Sequence, residues 1–194
     1  TYYVCGTADH NGAVAESSET NNGLCTTTTL TVAQPDLVLT QLSGPPSSFT
    51  GAVVALNSSV TNQGPTAASR FYVAFYLSPD AAITTSDLRL GTRRVSSVAP
   101  GATSTASTSR TIPATLAPGV YYLGAIADYT NRRAESNEAN NTLLGSQMVV
   151  QPGADLVPTA ISVPSPQLLT GTSISVSSSV RNQGSGASAN FSVQ

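Results

Sequence analysis

The sequence predicts an all-β chain: immunoglobulin-like β-sandwiches of seven or eight strands, joined in series. Three observations point there. Short runs alternate apolar and polar residues with a period of two. Gly, Pro and Asn clusters punctuate these runs, and no segment carries a helical period. Whole segments also recur at a nearly constant offset.

The strands follow in order. Asp36 to Ser43 is a first strand, stopped by Gly44-Pro45-Pro46. Gly51 to Thr61 alternates through Val53, Ala55 and Val60 and stops at Asn62-Gln63-Gly64-Pro65. Phe71, Val73, Phe75 and Leu77 share one face, with Tyr72, Ala74 and Tyr76 on the other, the clearest period-two signal of the chain. Ser78-Pro79-Asp80 opens a loop, and Leu88 to Val95 is a short strand. Pro100-Gly101 turns into a Ser/Thr-rich strand ending at Ile112-Pro113. Pro118-Gly119 turns into Val120 to Ala127, a polar loop runs from Asp128 to Asn141, and Leu143 to Val150 closes the unit. In this fold the Gly119-Val120-Tyr121-Tyr122 segment is where a tyrosine corner sits; two ordinary core aromatics are the alternative.

The repeat has an offset of 119. Tyr2-Tyr3 recurs as Tyr121-Tyr122, Ala15-Glu16-Ser17 as Ala134-Glu135-Ser136, Asn21-Asn22 as Asn140-Asn141, and Asp36-Leu37-Val38 as Asp155-Leu156-Val157. A one-residue indel then makes the offset 120, pairing Asn62-Gln63-Gly64 with Asn182-Gln183-Gly184. The phase divides the chain into three: 1–33 as the C-terminal part of a first repeat, 36–151 as a complete repeat, and 154–194 as the N-terminal part of a third. The chain thus reads as a window on a longer array. The Pro-containing joints at Gln34-Pro35 and Gln151-Pro152 are short, which favours a rod over flexibly strung beads.

Composition narrows the function. Charged residues are 9% of the 194, against about 25% in ordinary globular domains, and the net charge is -2. Such a surface does not attract nucleic acid. No apolar run approaches the roughly 18 residues that span a bilayer. The basic residues are all Arg, so Lys–Asn isopeptide bonds are excluded. His10 is the only His, and no nucleophile–base pair can be assembled, so the chain is expected not to be an enzyme.

Tyr76-Leu77-Ser78-Pro79-Asp80 with Ser86-Asp87, then Ala99-Pro100-Gly101, then Pro118-Gly119-Val120-Tyr121-Tyr122, resemble the bacterial cell-adhesion-related domain, CARDB. So does Ala127-Asp128 with Glu135-Ser136-Asn137-Glu138-Ala139-Asn140-Asn141. The resemblance covers the central unit and both partial ones. It implies an immunoglobulin-like fold in tandem arrays on secreted or surface-exposed bacterial and archaeal proteins. It supplies neither a reaction nor a defined ligand.

All four Glu residues lie in two copies of one motif: Glu16 and Glu19, Glu135 and Glu138. Asp9 or Asp128 precedes each pair, and two Asn follow, beginning with Asn21 or Asn140. One reading is a Ca²⁺ site, since carboxylate and amide oxygens are the hard ligands that ion prefers. Sandwich topology would bring loop 128–141 toward Asp36 and Asn62, at the joint with the preceding unit. The Ca²⁺ reading therefore groups Asp9, Glu16, Glu19, Asn21, Asp36, Asp128, Glu135, Glu138 and Asn140. The other reading is structural: Glu135 to Glu138 as one helical turn, with Asn and Ser side chains capping backbone N–H groups. The loop holding Asp80 and Asp87, at the opposite pole, reads as a solvated turn.

Cys5 and Cys25 have Gly124 and Leu144 as counterparts. On antiparallel strands joined by the Asp9–Asn22 loop they would stand nearly opposite, so a disulfide is expected; two buried thiols are the alternative. A disulfide implies an oxidising compartment. The expected function is a non-catalytic structural or adhesive repeat of a long extracellular, secreted or cell-surface protein. Its partners would be neighbouring repeats, further chains in a fibre, or a surface glycan. The alternative is an accessory glycan- or protein-binding domain of a secreted enzyme, with exposed Tyr72, Tyr76 or Tyr129 as a stacking platform.

Overall fold

The alternation in Phe71, Val73, Phe75 and Leu77 places four large side chains on one face, each no more than 1% exposed. The computed structural model describes residues 1–164, 167, 170, 171, 173–188 and 190–193. The expected third unit, 154–194, includes seven positions outside the described residues: 165, 166, 168, 169, 172, 189 and 194. Twelve strands and no helix are described: β1 (Cys5–Thr7), β2 (Gly23–Cys25), β3 (Leu37–Ser43), β4 (Ser47–Phe49), β5 (Val53–Asn62), β6 (Ala68–Ser78), β7 (Leu88–Val98), β8 (Thr103–Thr111), β9 (Gly119–Ala127), β10 (Thr142–Gln151), β11 (Leu156–Ser162) and β12 (Ser177–Asn182).

Strands β3 to β10 form the sandwich. One sheet has the order β3-β5-β8, the other β4-β10-β9-β6-β7. Leu37, Leu39, Val54, Leu56 and Val60 from the first sheet meet Phe71, Val73, Phe75, Leu77, Leu123 and Met148 from the second. Fully burying such side chains is worth about 1.5–3 kcal/mol each. This is the expected immunoglobulin-like sandwich.

The segment Gly44-Pro45-Pro46 does more than end β3. It carries the chain across to the other sheet, where β4 pairs in parallel with β10, Val149 opposite Ser47. Gly44 sits where the sheets close: a Cβ there would lie 2.9 Å from Leu56 Cδ2 and 3.2 Å from Leu123 Cδ2. Three residues in a parallel pairing leave no alternation, so β4 is invisible to a period-two reading. Likewise β7 runs three residues past the expected end, to Val98.

Two arginines close the gap between β7 and β8, the facing edges of the two sheets. Arg93 on β7 is 6% exposed. It donates to the Ser58 carbonyl at 3.0 Å, to Ser58 Oγ at 2.9 Å and to Ser104 Oγ. Arg110 on β8 reaches back, donating to the Thr92 carbonyl, with its guanidinium 5.6 Å from the Phe75 ring centroid. At the start of β9, Tyr121 Oη donates to the Ala117 carbonyl at 2.8 Å, forming the tyrosine corner.

The flanking strands have sheets of their own. β1 and β2 form a two-stranded sheet with Cys5 directly opposite Cys25, and the two are disulfide-bonded. β11 pairs with β12 as β3 pairs with β5, Leu156 opposite Asn182 and Leu37 opposite Asn62. Among the described residues, neither flanking sheet shares a ladder with the sandwich.

Candidate functional site

The acidic loop begins where β9 ends. Asp128 and Asn131 both adopt left-handed backbone, with φ of 40° and 48°. Asp and Asn tolerate that region better than most residues, because their short side chains bond nearby backbone. The Asn131 N–H donates to the Asp128 carbonyl at 2.6 Å, and the Arg133 N–H to Asp128 Oδ2 at 2.6 Å. Asp128 is 3% exposed. The Arg133 guanidinium turns to β6, donating to the Arg70 carbonyl and to Ser69 Oγ.

From there the loop ties down the start of β3. The Leu37 N–H donates to Glu135 Oε2 at 2.5 Å. Asn141 Nδ2 donates to Glu135 Oε1 at 3.1 Å, and Asn140 Nδ2 to Asp36 Oδ1 at 2.9 Å. The Ser136 N–H donates to the Pro35 carbonyl at 2.9 Å. Burial pushes the Glu135 carboxyl up to about 7, against the Leu37 N–H, which favours the charged form; Glu138 and Asp128 push it further up. The loop therefore reaches the joint, and Asp36, Glu135 and Asn140 act there as hydrogen-bond partners.

Asn62 completes the joint from below. Its Oδ1 accepts the Asp36 and Gly64 N–H groups at 3.0 and 3.1 Å. Its Nδ2 donates to the Thr66 and Val98 carbonyls at 2.7 and 3.0 Å. Gly64 is required beside it, because a Cβ would collide with the backbone of Gln34, Pro35 and Asp36.

The expected helical turn at Glu135 to Glu138 is absent. Its donors are taken otherwise: the Glu135 N–H goes to Glu138 Oε1 at 2.9 Å, the Ser136 N–H to Pro35, and the Ala139 N–H to Asn137 Oδ1. Side-chain acceptors here compete successfully with a helix.

The first copy of the motif repeats much of this pattern. Asp9 has φ 40°, and the Glu16 N–H donates to Glu19 Oε1 at 3.1 Å. The first copy differs at Asn22, whose Nδ2 donates to Glu19 Oε2 where its counterpart Asn141 donates to Glu135, and at Asp9, whose two oxygens accept the Ala13 and Val14 N–H groups at 2.8 and 2.9 Å. Glu16, Glu19 and Asn21 are exposed there, as is His10. Between β11 and β12, Asn182 Oδ1 accepts the Asp155 and Gly184 N–H groups, each at 3.0 Å, as Asn62 Oδ1 accepts those of Asp36 and Gly64.

Of the three tyrosines expected to be exposed, Tyr72 and Tyr129 are half-buried and Tyr76 is withdrawn from the surface. Tyr76 is 1% exposed. The loop holding Asp80 and Asp87 is largely exposed, as a solvated turn should be, but its half-buried Ile83 packs on the sheet: a Cβ on Gly124, which lies opposite Tyr76 on β9, would strike Ile83. Alternation assigns Tyr76 to the outer face; it does not say that a loop covers that face. Arg89 covers Tyr129, its guanidinium 5.2 Å from the ring centroid. Asp80 and Asp87 accept backbone N–H groups of their own loop, from Ala82 and Thr84.

A cavity of about 150 Å³ opens at the same pole as the joint, lined by Asp128, Tyr129, Asn131, Glu138 and Asn141 among others. Asp128 Oδ1 and Asn141 Oδ1 are buried without a hydrogen-bond partner. Among the described residues, no three His, Cys, Asp or Glu side chains are grouped to hold a metal.

The CARDB family model matches residues 34–144, most of the sandwich. The chain belongs to the CARDB family. Its match begins at the joint residue Gln34 and ends just inside β10, so the acidic loop of this CARDB domain lies wholly within it. No curated protein matches the chain. Among solved structures it is similar to the CARDB domain of the PF1109 protein from Pyrococcus furiosus, crystallised in complex with di-metal ions. That pair is 22% identical, covers 63% of this chain and 94% of the other, and has a TM-score of 0.47. A domain of a Methanosarcina acetivorans protein, provisionally named a cell surface protein, is 24% identical over 60% of this chain and 92% of its own, with a TM-score of 0.45. A β-glucosidase from Listeria innocua, in complex with isofagomine, is 14% identical over 62% of this chain and 16% of its own, with a TM-score of 0.39.

Proposed function

We propose that this CARDB chain is a non-catalytic structural or adhesive module, repeated in tandem along an extracellular bacterial or archaeal surface protein. One observation carries the reading: the acidic loop closing the sandwich is hydrogen-bonded to the segment entering it, through Glu135 and Leu37, Asn140 and Asp36, and Ser136 and Pro35. A module built this way fixes the direction in which the preceding chain arrives. The Asp155–Asn182 bond, which matches Asp36–Asn62, supports a second strand entry of the same kind, and so a tandem array. The Cys5–Cys25 disulfide supports an oxidising, extracellular setting. Boundaries at 1–33, 36–151 and 154–194 follow from the repeat phase. With 9% charged residues, little charge repulsion opposes lateral association with neighbouring chains into fibres.

Small-angle scattering of the chain, with antibody labelling of intact producing cells, tests the proposal. An elongated profile one sandwich wide, with surface labelling, supports it. A globular profile, or labelling only after the cells are opened, contradicts it.

A further inference from the structure

The joint bonds leave a set of oxygens unexplained. Asp128 is a 97% buried carboxylate, from an exposure of 3%, and its Oδ1 meets no donor. Asn141 is 7% exposed, and its Oδ1 is also unpartnered. Both residues line the cavity of about 150 Å³, and the exposed Glu138 lines it too. An unsatisfied buried polar atom costs about 1–3 kcal/mol, and more when charged. The surrounding donors are occupied elsewhere. The Arg133 N–H is on Asp128 Oδ2, Asn141 Nδ2 is on Glu135, and the Arg133 guanidinium is on Arg70 and Ser69. The cavity therefore lies among residues whose buried oxygens lack donors, with the Glu138 carboxylate beside them.

We propose that Asp128 Oδ1, Asn141 Oδ1 and the Glu138 carboxylate hold a calcium-class divalent cation at this pole. The donor set decides the class. Carboxylate and amide oxygens, with no His and no Cys, suit a hard cation and not zinc. A mixed, irregular set with an amide oxygen suits Ca²⁺ better than Mg²⁺, which demands near-octahedral geometry and keeps its waters. Only two carboxylates contribute, so affinity falls in the range of extracellular modules, roughly 10⁻⁴–10⁻³ M. The membership differs from the set suggested by the motif alone: Asp36, Glu135 and Asn140 lie outside the cavity lining, and Asn141 takes the place given to Asn140. The equivalent loop at Asp9 is not prepared, because both Asp9 oxygens already accept N–H groups. The cation also acts on the joint, since Asn141 holds Glu135 and Glu135 holds Leu37. The site goes beyond the module reading, which stands without it.

Tyr129 lines the cavity and supplies the probe. Terbium bound there emits when the tyrosine is excited. The full chain, treated first with EDTA, is titrated with Tb³⁺ and then competed with Ca²⁺, with calorimetry of Ca²⁺ alone alongside. One site per chain is expected, with emission displaced by Ca²⁺ and only weakly by Mg²⁺. Glu138→Gln keeps the acceptor for the Glu135 N–H, so it should melt like wild type in EDTA while binding Ca²⁺ about tenfold more weakly. Tyr129→Phe should lose the emission and keep the calorimetric binding. No heat and no emission up to about 10 mM Ca²⁺, well above the expected range, overturns the proposal and leaves a buried water in the cavity. Undiminished Ca²⁺ binding by Glu138→Gln overturns it as well.

Discussion

Glu135 Oε2 accepts the Leu37 N–H at 2.5 Å, across 98 residues of chain. The first strand of the sandwich is thereby launched by a side chain from its last loop. Replacing Glu135 by Ala leaves the Leu37 N–H and the Asn141 amide without their acceptor, both buried. We expect a loss of about 2–4 kcal/mol in urea unfolding, since a buried donor left without its acceptor costs about 1–3 kcal/mol and the two costs do not add fully. A loss under about 1 kcal/mol would show that the joint does not rest on this carboxylate.

Asn62 uses both donors and accepts two N–H groups, all within the fold. Asn62→Ala should therefore cost at least about 3 kcal/mol, more than an ordinary buried polar change. Asn62→Asp keeps the acceptor for Asp36 and Gly64 but turns an oxygen toward the Thr66 and Val98 carbonyls, so it should not rescue. Equal stability of Asn62→Asp and wild type by chemical denaturation would refute this.

Gly64→Ala and Gly6→Ala form a matched pair. A Cβ at Gly64 meets joint backbone, whereas one at Gly6 meets nothing within 4 Å. Thermal melting should show Gly64→Ala lowered by many degrees and Gly6→Ala unchanged. Similar melting for both would mean that the joint is loosely packed.

Reduction of Cys5–Cys25 should act locally. The bond closes a 20-residue separation, worth about 3 kcal/mol in the chain-entropy model, but its hairpin shares no ladder with the sandwich. Reducing agent should expose 1–33 to proteases while the main melting transition stays in place. A shift of the main transition would show that the hairpin supports the sandwich.

Most of the sandwich was legible because its strands alternate: the Phe71 to Leu77 face is buried as read, and Asp36 to Ser43 and Val120 to Ala127 fall within a residue of the observed strands. What escaped has physical reasons. β4 is too short to show a period, and its partner β10 lies about a hundred residues away. Tyr76 sits on the outer face as its alternation requires, yet Ile83 folds over that face, a tertiary fact no local period carries. Arg93 looks like a surface cation until its serine partners are seen. At the loop, composition located the acidic cluster, but a helical turn was the wrong local form. Pro35, from the far end of the unit, takes the Ser136 N–H that such a turn would use.

The claim that the last loop holds the entry to the first strand is tested most directly by native-state hydrogen exchange at the Leu37 amide. The account expects Leu37 to be protected nearly as well as Phe75 in the core, and to lose that protection in Glu135→Ala while Phe75 keeps its own. Fast exchange at Leu37 in the wild-type chain, or protection unchanged in Glu135→Ala, would contradict it.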